Sequence, residues 1–178
     1  MVMLRQKQPV LKPQDLLVAL KIAVNEDKAI TFADLGQELS MSTSEVHAAT
    51  QRAEMSRLVT REAGQLRAAR LSLQEFILHG VKYVFPALQG GITRGMATGI
   101  AVPPLKEFFV QNEALIPVWP DPLGEERGLS LQPIYPSVPA AARADFRLYE
   151  ILALVDALRA GAAREREIAA SQLMSRLS

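Results

Sequence analysis

The chain has 178 residues, of which 49% are hydrophobic and 22% charged, and its 20 Lys and Arg against 19 Asp and Glu give a formal net charge of +1. This composition supports a folded core in one domain, or in one small domain with an appendage. The absence of cysteine excludes disulfides, cysteine nucleophiles and thiolate metal sites. The balanced total charge favours neither nucleic acid nor membrane, so any such partner must be argued from local charge.

The N-terminus predicts a cytoplasmic protein without a membrane partner. Polar residues at positions 5–8 interrupt any apolar run well before the length of a signal peptide or a membrane span. Residues 1–12 are therefore expected to be a loosely held leader.

Three helices are predicted in the first third of the chain. The first begins at Pro13, repeats leucine or valine at helical spacing, and ends in the polar turn of residues 25–28. Thr31 and Asp34 can cap a short second helix. The capping box of residues 42–45 opens a third helix that runs to about Arg57, with Val46, Ala49 and Ala53 on its buried face.

A small hairpin and a fourth helix are expected next. Residues 58–62 and 66–71 have strand character on either side of a possible turn at 63–65. A further capping box at residues 72–75 predicts a helix that ends near Gly80 and directs Phe76, Ile77 and Val81 inward.

The composition changes beyond residue 82. Residues 83–139 hold nine of the 11 prolines and six of the ten glycines, but they are too apolar for a solvated linker. An ordered, irregular segment packed on a core is the expectation, with one short helix around residues 105–112. Two helices should follow, from Ala140 to Arg159 and from Ala162 to Leu177.

The order of these elements resembles that of bacterial winged helix-turn-helix transcriptional regulators. The likeness is carried by ITFADLGQELSMSTSEVHAATQRAEMSRLVTRE, residues 30–62, with a wing continuing to Arg70. Many members have glycine just before the wing strand, where this chain has Arg57. The predicted fold is mainly α with a small β wing: a winged helix-turn-helix domain over residues 1–82, then an irregular Pro/Gly-rich segment and C-terminal helices over 83–178 for dimerisation or partner binding.

The resemblance implies that the third helix lies in the major groove of double-stranded DNA. Its exposed face then presents Ser44, His47 and Gln51 to bases, and Thr43 to a phosphate. Residues 52–70 contain five arginines and two glutamates, a local net charge of +3, and these arginines can contact phosphates. The candidate DNA-binding residues are Thr43, Ser44, His47, Gln51, Arg52, Arg57, Arg61, Arg67 and Arg70. The alternative is that His47 and the arginines are ordinary solvated side chains.

We therefore expect a sequence-specific transcriptional regulator that acts as a dimeric repressor. Regulators of this size also suggest the antitoxin of a two-gene module, with a cognate protein partner. The alternative is a protein-interaction module that uses a winged-helix scaffold without reading DNA. A small-molecule sensor or enzyme built on residues 90–99 is a third hypothesis.

No catalytic, cofactor or metal site is predicted. His47 and His79 are the only imidazoles, and no metal-binding motif or catalytic triad can be placed. The glycines of residues 89–99 lack the ending of a phosphate-binding loop and are expected to permit tight turns. Trp119 and Tyr135 are expected to pack on a core, although a binding surface is possible; the apolar helix 140–158 could be buried or form an interface.

Overall fold

The computed structural model describes residues 8–112 and 115–178. The first seven residues of the predicted leader lie outside this part. The described residues form a mixed α/β structure with eight α-helices, two 3-10 helices and five strands. None of the helices in the described ranges combines the length and the apolar character needed to cross a bilayer.

The first three helices lie where the sequence places them. The Thr31 side chain accepts from the Asp34 N–H at 3.1 Å, and the Asp34 carboxylate accepts from the Thr31 N–H at 3.0 Å. Ser42 and Glu45 form the same reciprocal pair at the start of the third helix. The helices are α1 (Pro13–Val24), α2 (Phe32–Leu39) and α3 (Thr43–Met55).

A two-stranded antiparallel hairpin follows α3, as predicted. Its strands are β1 (Val59–Glu62) and β2 (Gln65–Ala68), joined by Ala63 and Gly64 with φ of 49° and 79°. Just before β1, Arg57 has a φ of 59°. This left-handed conformation favours glycine over residues with a side chain.

The predicted capping box at residues 72–75 is wrong. Helix α4 (Arg70–His79) begins earlier than predicted. The Ala69 N–H donates to the carbonyl of Leu58, which lies just before β1, and the Ala69 carbonyl already accepts from the Leu73 N–H. Ser72 therefore lies inside the helix. The end near Gly80 is confirmed, and Ile77 and Val81 are buried. The short α5 (Val81–Val84) spans the predicted domain boundary at residues 82 and 83.

The expectation of irregular structure over residues 83–139 needs correction, because three strands form a second sheet there. They are β3 (Gln89–Ala97), β4 (Pro117–Pro120) and β5 (Glu126–Leu131). The long β3 pairs antiparallel with both of the others, and β4 pairs parallel with β5, so the strands close on one another.

Glycines make this small sheet possible. A Cβ added at Gly95 would lie 2.0 Å from the Trp119 carbonyl oxygen, and one at Gly128 would lie 2.1 Å from that of Ile116. The glycines of residues 90–95 therefore lie in a strand and not in the tight turns expected from the sequence. The fold is mixed α/β rather than mainly α with one hairpin.

The helices of the C-terminal half also differ in their bounds. The helix expected at residues 105–112 is only a 3-10 turn, Leu105–Glu107, preceded by another at Gly99–Ala101. The single helix expected from Ala140 to Arg159 is two. They break at Asp145, which has extended φ and ψ and whose carboxylate caps the second helix by accepting from the Leu148 N–H. The helices are α6 (Val138–Ala144), α7 (Phe146–Ala160) and α8 (Ala163–Leu177).

One hydrophobic cluster joins the two halves of the chain around α1. Every residue of α1 from Asp15 to Val24 is buried, so this helix is enclosed rather than amphipathic. The cluster continues through α7 and includes Trp119, which is 1% exposed. Burial of Trp119 in the core is confirmed, and so is burial of α7 within its own chain.

Candidate nucleic-acid interface

Helix α3 has one buried and one exposed face, divided as the sequence predicts. Val46, Ala49 and Ala53 are fully buried. The opposite face exposes Ser44, His47, Gln51 and Met55. These exposed side chains follow one another at helical spacing, so they form a single stripe along α3.

The first turn of α3 carries a fixed negative charge. The Glu45 carboxylate accepts from the Ser42 N–H at 3.0 Å, from the Ser42 hydroxyl at 2.9 Å and from the Tyr135 hydroxyl at 2.9 Å. These hydrogen bonds lower the pKa of Glu45, in that order of importance. Thr43 and Ser44 are exposed beside it, and the Ser44 hydroxyl lies 3.2 Å from that of Ser42.

His47 and Arg61 meet on the ring of Phe32. The His47 ring packs edge-on at a centroid distance of 5.2 Å, and the Arg61 guanidinium lies 5.8 Å from the centroid of the Phe32 ring. Arg61 also forms an ion pair with Glu54 of α3 at 2.6 Å. These contacts connect the hairpin to α3.

Arg52 is held by a buried carboxylate. Its Nε and Nη2 donate to the Asp15 carboxylate at 2.9 and 2.7 Å, and the Asp15 side chain is fully buried. This bidentate geometry orients the guanidinium inward, toward α1. No local pattern predicts the pair, because 37 positions separate the two residues.

Arg70 and Arg67 both reach back to the end of α1. Arg70 forms an ion pair with Glu26 at 2.9 Å and donates to the Ala23 carbonyl. Arg67 donates to the Glu26 backbone carbonyl at 2.7 Å and to the Gln65 side chain. Glu26 therefore neutralises one of the two arginines directly.

The nine predicted side chains are not all brought together, because Arg52, Arg67 and Arg70 are held by Asp15 and Glu26. Thr43, Ser44, His47 and Gln51 lie on one exposed face, and Arg61 is joined to it through Phe32. Arg57 is exposed, and its guanidinium has no partner among the described residues. The local net charge of +3 is offset by Asp15 and Glu26, which the count over residues 52–70 did not include. The contact of Tyr135 with α3 was not predicted, since no local pattern connects this tyrosine to Glu45.

The described residues contain no group of three or more His, Cys, Asp or Glu that could hold a metal ion. The most enclosed charged pair is Asp156 with Arg159, at 2.7 Å and 3% exposure for each side chain. Burial raises the pKa of Asp156, and the Arg159 guanidinium, the Thr98 hydroxyl and the Trp119 indole oppose this rise.

Comparison with known proteins found no match: no protein-family model, no curated protein and no solved structure is similar to the chain.

Proposed function

We propose that the chain binds double-stranded DNA as a winged helix-turn-helix regulator, with α3 as the reading helix. The observation that carries the proposal is the exposed stripe of Ser44, His47 and Gln51 on a helix whose other face is locked into the core. Gln51 and His47 have side chains that make no hydrogen bond within the described residues, so their polar atoms are available to base edges.

The charge around α3 predicts only modest affinity of a single copy of the chain for DNA. Arg57, Arg61 and Arg67 lie at the hairpin side, whereas Asp15 and Glu26 hold Arg52 and Arg70. Arg61 is paired with Glu54, but its side chain is 43% exposed and can still contact a phosphate. About three phosphate contacts correspond to a slope of roughly −3 in log affinity against log salt, and a dimer to roughly −5. We therefore propose a dimeric repressor that reads two half-sites. An antitoxin role with a protein partner remains a narrower form of this proposal, and we propose no catalytic activity.

The test is an anisotropy titration of the full chain against labelled DNA from upstream of its own gene, with a scrambled duplex of equal length and a salt series. Tighter binding to the upstream DNA, weakened about tenfold by Gln51→Ala, supports base reading. Gln132→Ala, an exposed glutamine outside α3, is the matched control and should leave affinity unchanged. Equal affinity for both duplexes, or no binding, refutes the reading role of α3.

A second candidate is a protein-interaction module that keeps the same scaffold. It is favoured by the negative charge of Glu45 at the start of α3 and by the neutralisation of three arginines by Asp15, Glu26 and Glu54. The double variant Arg61→Ala, Arg67→Ala separates the two functions. Loss of DNA binding in this variant supports the DNA-binding regulator. Intact biological function in the same variant supports the protein-interaction module.

A further inference from the structure

A cleft of about 220 Å³ lies away from α3, between the three-stranded sheet, the end of α7 and the first turn of α8. Its walls are mainly apolar, with Ile100 and Pro117 on one side and Ala157 and Ala160 on the other. It borders Gln89 and Gly90 at the start of β3 and the 3-10 turn Gly99–Ala101. Its size suits a fragment-sized ligand rather than a nucleotide.

The rim of the cleft exposes large apolar side chains. Leu115 and Leu129, which line it, are 52% and 37% exposed, and Ile92, the cross-strand neighbour of Leu129, is 55% exposed. Exposed apolar surface next to a concave apolar site is typical of ligand-binding positions. A small molecule with an apolar body would cover part of this surface.

The charged groups of the cleft are all acidic. Among the described residues that line it there is no Lys, Arg or His; Asp156 and Glu165 are its charged members. Asp156 is saturated, because its oxygens accept from Thr98, Trp119 and Arg159 at 2.6 to 2.8 Å. Glu165 uses Oε2 to accept from the Ala162 N–H at 2.9 Å, and its Oε1 accepts no hydrogen bond in the described part of the chain.

The geometry points to a binding site for small cationic amphiphiles, in which an aryl or alkyl body fills the apolar walls and an ammonium group pairs with Glu165. The Glu165 carboxylate disfavours ligands with a carboxylate or phosphate, since the guanidinium of Arg159 is bound to Asp156 and that of Arg166 to the Gly161 carbonyl. The buried hydrogen bond between Trp119 and Asp156 places the chain's one tryptophan next to the site as a reporter. This assignment does not rest on DNA binding.

The test uses phenethylamine as probe, with phenethyl alcohol and phenylacetate as neutral and anionic counterparts. Each is titrated into the full-length chain and followed by amide NMR shifts and Trp119 fluorescence. We expect saturable binding of phenethylamine in the millimolar range, with shifts at residues 89–90, 129–131 and 157–165. The alcohol should bind about five to ten times more weakly, and phenylacetate more weakly still.

Variants identify the groups responsible. Glu165→Gln keeps a side chain that can cap α8 but removes the charge, so it should reduce phenethylamine affinity to that of the alcohol. Ala160→Leu fills the cleft and should abolish binding of all three probes. Glu167→Gln, exposed on the same helix outside the cleft, is the control and should change nothing.

The titrations of the unmodified chain test the proposed binding site even if a variant fails to fold. Equal binding of the amine and the alcohol, a preference for phenylacetate, shifts outside the cleft, or no saturable binding of phenethylamine would each overturn the assignment. Binding of phenethylamine that Glu165→Gln leaves unchanged would overturn the role of the carboxylate.

Discussion

The Tyr135 hydroxyl donates a hydrogen bond to the Glu45 carboxylate at 2.9 Å, across 90 positions of the chain. This contact connects the segment after β5 to the first turn of α3, at the end of the proposed reading helix. Burial raises the pKa of Tyr135, and the hydrogen bond to Glu45 and the charge of Glu45 raise it further. The proposed DNA-reading face therefore carries a stabilised negative charge that would face phosphates.

Glu45→Gln should increase affinity for DNA. Glutamine can keep the capping box with Ser42, whereas the loss of a negative charge near phosphates favours binding by about fivefold at low salt. Anisotropy titrations at two salt concentrations measure the effect, which should shrink as salt rises. Glu75→Gln, exposed on α4, is the control. Unchanged affinity in Glu45→Gln would show that the first turn of α3 does not approach the DNA backbone.

Arg52→Ala should destabilise the fold strongly. The variant leaves the Asp15 carboxylate buried without its bidentate partner, which costs about 3 kcal/mol or more of the free energy of unfolding. Urea unfolding measures the change. Arg164→Ala, an exposed arginine on α8 with no side-chain partner in the described residues, should change the free energy by less than about 0.5 kcal/mol. A similar small effect of Arg52→Ala would contradict the inward orientation of this arginine.

The ion pair between Lys21 and Asp145 should make stability depend on acid pH. Burial alone raises the pKa of Asp145, but hydrogen bonds from Lys21, Asn25 and the Leu148 N–H outweigh it and leave this pKa below the ordinary 3.8. The stabilisation is thus present above pH 3.8 and is lost as pH falls through the lower folded-state pKa.

Asp145→Asn tests this dependence. It should lower the free energy of unfolding by about 1 to 3 kcal/mol at neutral pH, because Lys21 keeps its ion pair with Glu38, and the difference from the unmodified chain should narrow on acidification below pH 3.8. Asp27→Asn is the matched control, since Asp27 is 85% exposed and 3.8 Å from Arg147. A constant difference between Asp145→Asn and the unmodified chain across the pH range would refute the pairing.

Gly95→Ala should disrupt the small sheet. Its Cβ would lie 2.0 Å from the Trp119 carbonyl oxygen, so strands β3 and β4 must separate, at a cost of about 3 kcal/mol. Gly91→Ala lies in the same strand with no atom within 4 Å of the new Cβ and should be neutral or slightly stabilising. Thermal unfolding compares the two; equal melting temperatures would argue against the pairing of β3 with β4.

Local patterns in the sequence predicted the first three helices and the hairpin, because their signals lie within a few residues of one another. Thr31 with Asp34, and Ser42 with Glu45, are capping pairs three positions apart, and both form. The exposed face of α3 followed from its helical period alone. The left-handed conformation of Arg57, with a φ of 59°, was not predicted.

The second sheet and the ion pairs of the arginines could not be predicted in the same way. The role of Gly95 depends on the approach of Trp119, 24 positions away, and the orientation of Arg52 depends on Asp15 in another helix. A high content of proline and glycine predicts irregular structure, but between strands glycine permits close backbone contact. Charge counted along a segment likewise overlooks carboxylates that reach it from elsewhere.

The burial of α1 between the two halves of the chain determines how the protein unfolds. Its residues pack against α3 and β2 on one side and α7 on the other, and its Lys21 pairs with Asp145 from the far half of the chain. Loss of either half would expose the apolar faces that the two halves bury against each other, so we expect neither half to fold stably on its own. We therefore expect unfolding to be a single cooperative transition, with fluorescence of Trp119 and helical circular dichroism disappearing at the same denaturant concentration.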